Sequence, residues 1–127
     1  MPHIHIDYSG NLEATLDMAA FCDAIRAEAV QIDALPMPGI RVRAIRVDHY
    51  SIADGDPKHG FIDISLRLRE GRPKDVKQDA IQRLFEAAKA FIAPAMAEAS
   101  IALSAEVRDI DAEMSPKFGN IRDHLGD

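Results

Sequence analysis

The stretch Phe61-Ile62-Asp63-Ile64-Ser65-Leu66-Arg67-Leu68-Arg69, followed closely by Gly71-Arg72-Pro73, decides the fold. Ile62, Ile64, Leu66 and Leu68 alternate with Asp63, Ser65, Arg67 and Arg69, the period of two that a strand with one buried face requires. The glycine then turns the chain. Pro73 suits the first turn of a helix, where its missing N–H would be unpaired anyway. Val76, Ala80, Ile81, Leu84, Phe85, Ala88, Phe91 and Ile92 give that helix one apolar stripe, and Pro94 should end or kink it. A last strand is expected from Ile101 to about Ile110, where Ile101, Leu103, Ala105 and Val107 alternate against polar neighbours.

The first half of the chain has the same order. Pro2, Ile4, Ile6 and Tyr8 share one strand face, with His3, His5 and Asp7 on the other. Ser9-Gly10-Asn11 turns the chain, and Asn11 is placed to cap a helix. Met18, Phe21, Cys22, Ile25, Ala29 and Ile32 form that helix's stripe, Pro36-Met37-Pro38-Gly39 breaks it, and strand character resumes from Ile40 to Tyr50. Strand-helix-strand therefore occurs twice, in halves of about 2–54 and 61–112 joined by the loop Ala53 to Gly60, within one expected domain, 1–127. One stripe per helix means one covered sheet face. The expected architecture is α+β: duplicated β-α-β units forming a four-stranded sheet with two helices on one face. A partner subunit is expected to cover the other face.

Composition narrows the function classes. The chain has 127 residues, 47% of them hydrophobic, enough for a real core. A net charge of -6 disfavours nucleic acid and membrane surfaces as partners. No apolar run reaches the roughly 20 residues of a spanning helix, and no secretory leader is legible, so a cytoplasmic location is expected. Cys22 is the sole cysteine and falls on a helix stripe, where a buried, inert thiol is the expectation.

Chemistry-bearing residues gather at three places. Met1-Pro2 begins the chain, and removal of Met1 would leave Pro2 with a secondary amine able to act as a base near neutral pH if nearby cations or burial lowered its pKa. Arg41, Arg43 and Arg46 cluster on the second strand, and Arg67, Arg69 and Arg72 near the second helix. Guanidinium forks match carboxylates. Arg72 also sits at a helix start, a place favourable to anions. His3, His5 and Asp7 lie on one strand face where they could ligate a metal, but no further His/Cys spacing supports it, and no metal is expected.

Pro2-His3, Gly39-Ile40-Arg41-Val42-Arg43, Val47-Asp48, Ala53-Asp54-Gly55, Gly71-Arg72, Leu84-Phe85 and Ala102-Leu103-Ser104-Ala105-Glu106, in this order, resemble the 5-carboxymethyl-2-hydroxymuconate isomerase family of the tautomerase superfamily. The resemblance covers nearly the whole chain. It implies a homotrimer with an amino-terminal proline in each active site, acting without a cofactor in bacterial homoprotocatechuate breakdown on a small anionic dienol carboxylate. It further implies that Pro2 is the general base and then the acid, that Arg72 binds a carboxylate and draws electrons toward the 2-oxo end, and that Arg41 and Arg43 hold other carboxylates, in one subunit or across a boundary. The sequence departs from the family pattern at Arg46, where an aromatic residue often stands. It also departs across Ser115 to Asp127, which matches only loosely around Pro116-Lys117 and Asn120. Two other readings remain open at this point: a tautomerase for another unsaturated 2-hydroxy or 2-oxo acid, and a non-catalytic ligand-binding or assembly domain.

Overall fold

In the computed structural model, which describes residues 1–126, the chain forms four strands, β1 (His3–Ser9), β2 (Arg41–Val47), β3 (His59–Arg69) and β4 (Ser100–Ile110), and two long helices, α1 (Met18–Ala29) and α2 (Lys74–Met96). Asp127, the last residue of the expected domain, lies outside the described residues. The sheet order is β2-β1-β3-β4, with β1/β2 and β3/β4 parallel and the central pair β1/β3 antiparallel. Each parallel pair needs a crossover, which α1 and α2 supply. The four-stranded sheet with two helices on one face is thus the observed fold.

Alternation decides which face the helices cover. Ile4, Ile6, Ile62, Ile64, Leu66 and Leu68 are fully buried beneath Phe21 and Ile25 of α1 and Leu84, Ala88 and Ile92 of α2. Burying each large aliphatic or aromatic side chain contributes about 1.5–3 kcal/mol. Phe21 and Phe91 meet edge to face with ring centroids 5.3 Å apart, and Arg83 pairs with Glu28 at 3.0 Å, so the helices also lock to each other.

Several boundaries differ from the sequence reading. Asn11 does not cap the first helix: Gly10–Ala14 form a 3₁₀ turn, and the Asn11 amide donates to the carbonyl of His59 at 2.8 Å. Asp17 caps α1 instead, accepting from the Ala20 N–H at 3.1 Å. Capping chemistry was present at both positions, and Asn11 is drawn off by the β3 backbone. α1 also stops at Ala29, so Ile32 joins the core from the following turn. β2 ends at Val47 because its partner β1 ends opposite it at Ser9. Pro94 lies inside α2, which closes two residues later. Among the described residues, no helix is long and apolar enough to cross a membrane.

Candidate active site

Pro2 stands one residue before β1, so the central strand fixes its position at one end of the sheet. Pro2 is buried, and its carbonyl accepts from the Arg41 N–H at 3.2 Å. The loop before β2 closes over it. A Cβ at Gly39 would lie 3.2 Å from Pro2 Cδ, tighter than ordinary packing, so glycine lets the backbone approach the ring. With Met1 attached, the Pro2 nitrogen is a tertiary amide without a basic lone pair.

Strand register brings the two arginine clusters together at this end. His3 of β1 pairs with Arg41 of β2 on one side and with Arg67 of β3 on the other, and Arg67 pairs in turn with Arg108 of β4. A row of four basic residues therefore crosses the face opposite the helices. The next row reads Arg43, His5, Ser65, Glu106, and the third Ile45, Asp7, Asp63, Ser104, so charge on this face changes from basic near Pro2 to acidic away from it. Arg43 Nη1 lies 3.3 Å from His3 Nδ1. Burial first, and then Arg67, Arg43 and Arg41, lower the His3 pKa, which favours a neutral ring whose Nδ1 accepts that bond.

Two clefts open beside the amino terminus. The first, about 360 Å³, is walled by Pro2, Pro36, Pro38 and Gly39, by Phe118 and Ile121, and by the cations Arg41, Lys117 and Arg122. The second, about 370 Å³, is lined by His3, Arg67, Arg69 and Lys117 with Ile110, Ala112, Ser115 and Pro116. Met1 and Lys117 border both. Among the described residues, neither lining includes an Asp or Glu. The Met1 amino group is accordingly held below its ordinary pKa of 8.0, by burial first and then by Lys117, Arg72, Arg69 and Arg41.

The sequence-derived site residues are distributed unevenly over this geometry. Arg41 lines the first cleft and donates to Met1 Sδ at 2.7 Å and to the Gly39 carbonyl at 3.2 Å. Arg72 is near enough to act on the terminal amine but borders neither cleft. Its Nε donates to the Ala34 carbonyl and its Nη1 to the Arg69 carbonyl, each at 3.1 Å. Gly71, at φ +108°, makes the turn that delivers it. Arg43 faces the open sheet surface and borders neither cleft. Arg46 is neutralised by Glu13 at 2.6 Å and Asp48 at 2.8 Å, well away from Pro2. His5 pairs with Asp7 at 3.0 Å, and among the described residues no group of three His, Cys, Asp or Glu is arranged to hold a metal ion. Cys22 is half-buried, and burial pushes its thiol pKa up.

Lys117, Arg122 and Phe118 were not singled out by periodicity or spacing. They belong to the C-terminal segment, which folds back as short 3₁₀ turns at Ala112–Met114 and Ile121–His124 over the Pro2 end. The only sequence signal for them was the local Pro116-Lys117 match.

A sheet built from two β-α-β halves, with Pro2 buried among cations at one end, is the tautomerase fold. A fused 4-OT symmetric trimer shares this fold, with 17% identity and a TM-score of 0.65 over 86% of this chain and 85% of that one. The sequence model of 5-carboxymethyl-2-hydroxymuconate isomerase matches residues 2–125, and the chain belongs to that family of isomerases. The 5-carboxymethyl-2-hydroxymuconate Delta-isomerase of Escherichia coli is 27% identical over 121 residues, covering 95% of this chain and 96% of that protein. A crystal structure of a 5-carboxymethyl-2-hydroxymuconate delta-isomerase is 31% identical, with a TM-score of 0.90 over 100% of this chain and 94% of that one.

Proposed function

We propose that the protein, once Met1 is removed, converts 5-carboxymethyl-2-hydroxymuconate to its conjugated 2-oxo isomer, with the Pro2 amine moving the proton. The observation that carries this reading is the placement of Pro2 in the wall of a cleft lined by Arg41, Lys117 and Arg122, with a second cation-lined cleft opening at the adjoining residues Met1 and His3. A substrate with three carboxylates needs cationic partners, and those cations also keep the amine neutral. In the neutral form the amine takes the proton of the 2-hydroxyl, electrons shift along the diene, and the resulting ammonium returns the proton at carbon 5. A single acid/base group suffices because both sites belong to one conjugated system. Loss of Met1 would also remove a residue that lines both clefts. Arg41 is assigned a carboxylate in the first cleft, and Arg72 the oxygen that develops charge at carbon 2. Arg43 would serve a carboxylate only from the sheet face, toward the site of a neighbouring subunit. The direct test is an ultraviolet assay of ketonisation on enzyme whose amino terminus has been verified by mass; no turnover by such enzyme would refute the reading.

The pH dependence has a definite sign. The amine must be neutral to accept a proton, so kcat/KM rises with pH through the amine's pKa and then levels off. Burial and the cations Lys117, Arg72, Arg69 and Arg41 lower the pKa of the Met1 amino group. The Pro2 amine, one residue along the chain beside the same cations, should be lowered in the same direction, placing the rising limb below the ordinary value for a prolyl amine. Substitution of Lys117 by Gln should move the limb upward. A limb at or above the ordinary value in the unmodified enzyme would contradict the depression.

The assembly proposed is a homotrimer. The sheet face bearing His3, His5, Asp7, Arg43 and Asp63 has no helix over it, while Met114, Phe118, Ile121 and Leu125 leave a set of large apolar side chains exposed at the C-terminal end. The fused 4-OT of the same fold is a symmetric trimer, which supports this assembly. Sedimentation at micromolar concentration should give three chains per particle, and a monomer would refute the proposal.

A further inference from the structure

We propose that the second cleft is a dedicated carboxylate subsite in which Arg67 and Arg69, with Lys117, hold the two-carboxylate end of the substrate. This rests on the reading of Pro2 as the proton carrier. The substrate's charges are unequally divided about the proton path: one carboxylate adjoins carbon 2, whereas carbon 5 carries both a carboxylate and the carboxymethyl arm. With Pro2 between those carbons, one side of the amine must neutralise two negative charges. Arg67, Arg69 and Lys117 line the second cleft together, with no acid among the described lining residues.

These cations are also available. Among the described residues, neither Arg67 nor Arg69 has an acidic partner within ion-pair distance, in a chain of net charge -6 where Arg46, Arg83 and Arg108 each have one. Arg67 is half-buried on the basic row beside His3, and Arg69 follows it two residues on, so both project from the same strand face. Lys117 closes the cleft from the C-terminal segment. The first cleft also carries cations, Arg41 and Arg122 with the shared Lys117, but adds a wall of Pro2, Pro36, Pro38, Phe118 and Ile121 that suits the planar dienol end.

The test compares unmodified enzyme with Arg67→Gln, Arg69→Gln and the double variant on two substrates, 5-carboxymethyl-2-hydroxymuconate and 2-hydroxymuconate, which lacks the carboxymethyl arm. The double variant should raise KM for the triacid at least about tenfold more than for the diacid, with kcat for the triacid changed less than KM. Equal changes on both substrates, or none, would overturn the subsite. Should the Arg67 variants not fold, the exposed Arg69→Gln alone, at a residue that lines only the second cleft, is read the same way. Calorimetric titration with propane-1,2,3-tricarboxylate requires no turnover. It should show tight binding to unmodified enzyme and about tenfold weaker binding to the double variant, and equal affinities, or no binding to either, would overturn the subsite. Failure of ketonisation with that binding difference intact would count against the Pro2 reading and leave the anion subsite standing.

Discussion

Enzyme that begins at Pro2 is expected to ketonise 5-carboxymethyl-2-hydroxymuconate, while a form that retains Met1 loses about 10²–10⁴-fold in kcat, the usual contribution of a positioned acid/base group. The reason is electronic. An amide nitrogen has no basic lone pair to offer, and Met1 also lines both clefts and occupies Arg41 through its sulfur. The Pro2→Ala variant is a milder lesion, because removal of Met1 leaves a primary amine at nearly the same place. That amine is no longer braced by a ring against Gly39, and positioning is what the close approach at Gly39 provides. A loss of about 10²-fold is expected there, in kcat more than in KM. Retention of Met1 leaves the buried faces of β1 and β3 intact and should keep the thermal transition, whereas Pro2→Ala also removes a buried ring and should lower it, so its kinetics are compared on the folded protein. Near-normal turnover by the Met1-retaining form, with its mass verified, would remove Pro2 from the chemistry.

Strand alternation made β1 and β3 legible, and the stripes of Phe21 and Ile25 and of Leu84 and Ile92 made both helices legible, because one-sided burial imposes those periods. Sheet order was not legible. The arginines of β2 and β3 stand far apart in sequence, and only the insertion of β1 between those strands sets Arg41 and Arg67 on either side of His3. Nothing in local periodicity encodes that order. Lys117 and Arg122 escaped for a different reason: the C-terminal segment has neither helical nor strand period, so its course over Pro2 is fixed by tertiary contacts alone. Arg43 illustrates the converse. It shares strand parity with Arg41, yet two residues along a strand is far enough to carry it from the cleft to the open face. Asn11 and Asp17 are both good caps, and the choice between them was made by the carbonyl of His59.

Replacement of Arg72 by Ala is expected to lower kcat/KM about 10²–10³-fold, the range seen when one preorganised donor to a developing oxyanion is lost. Arg72 follows the Gly71 turn and directly precedes Pro73, the residue before α2, where free N–H groups already favour negative charge. Its Nε and Nη1 are fixed by the carbonyls of Ala34 and Arg69, and that anchoring orients the rest of the guanidinium. A purely structural Arg72 would behave differently. Loss of the two hydrogen bonds alone costs about 1 kcal/mol each in stability and would leave the kinetics of the folded protein unchanged. Arg72→Lys separates the roles further. An ammonium keeps the positive charge that helps hold the amine's pKa down, so the pH limb of kcat/KM should stay near that of the unmodified enzyme. It lacks the planar fork, so most of the loss in kcat should persist. In Arg72→Ala the limb should instead move to higher pH, because one of the four cations acting on the amine is gone. A variant with lowered thermal stability, unchanged kcat/KM and an unmoved pH limb would make Arg72 a brace for the turn and leave carbon 2 to Arg41.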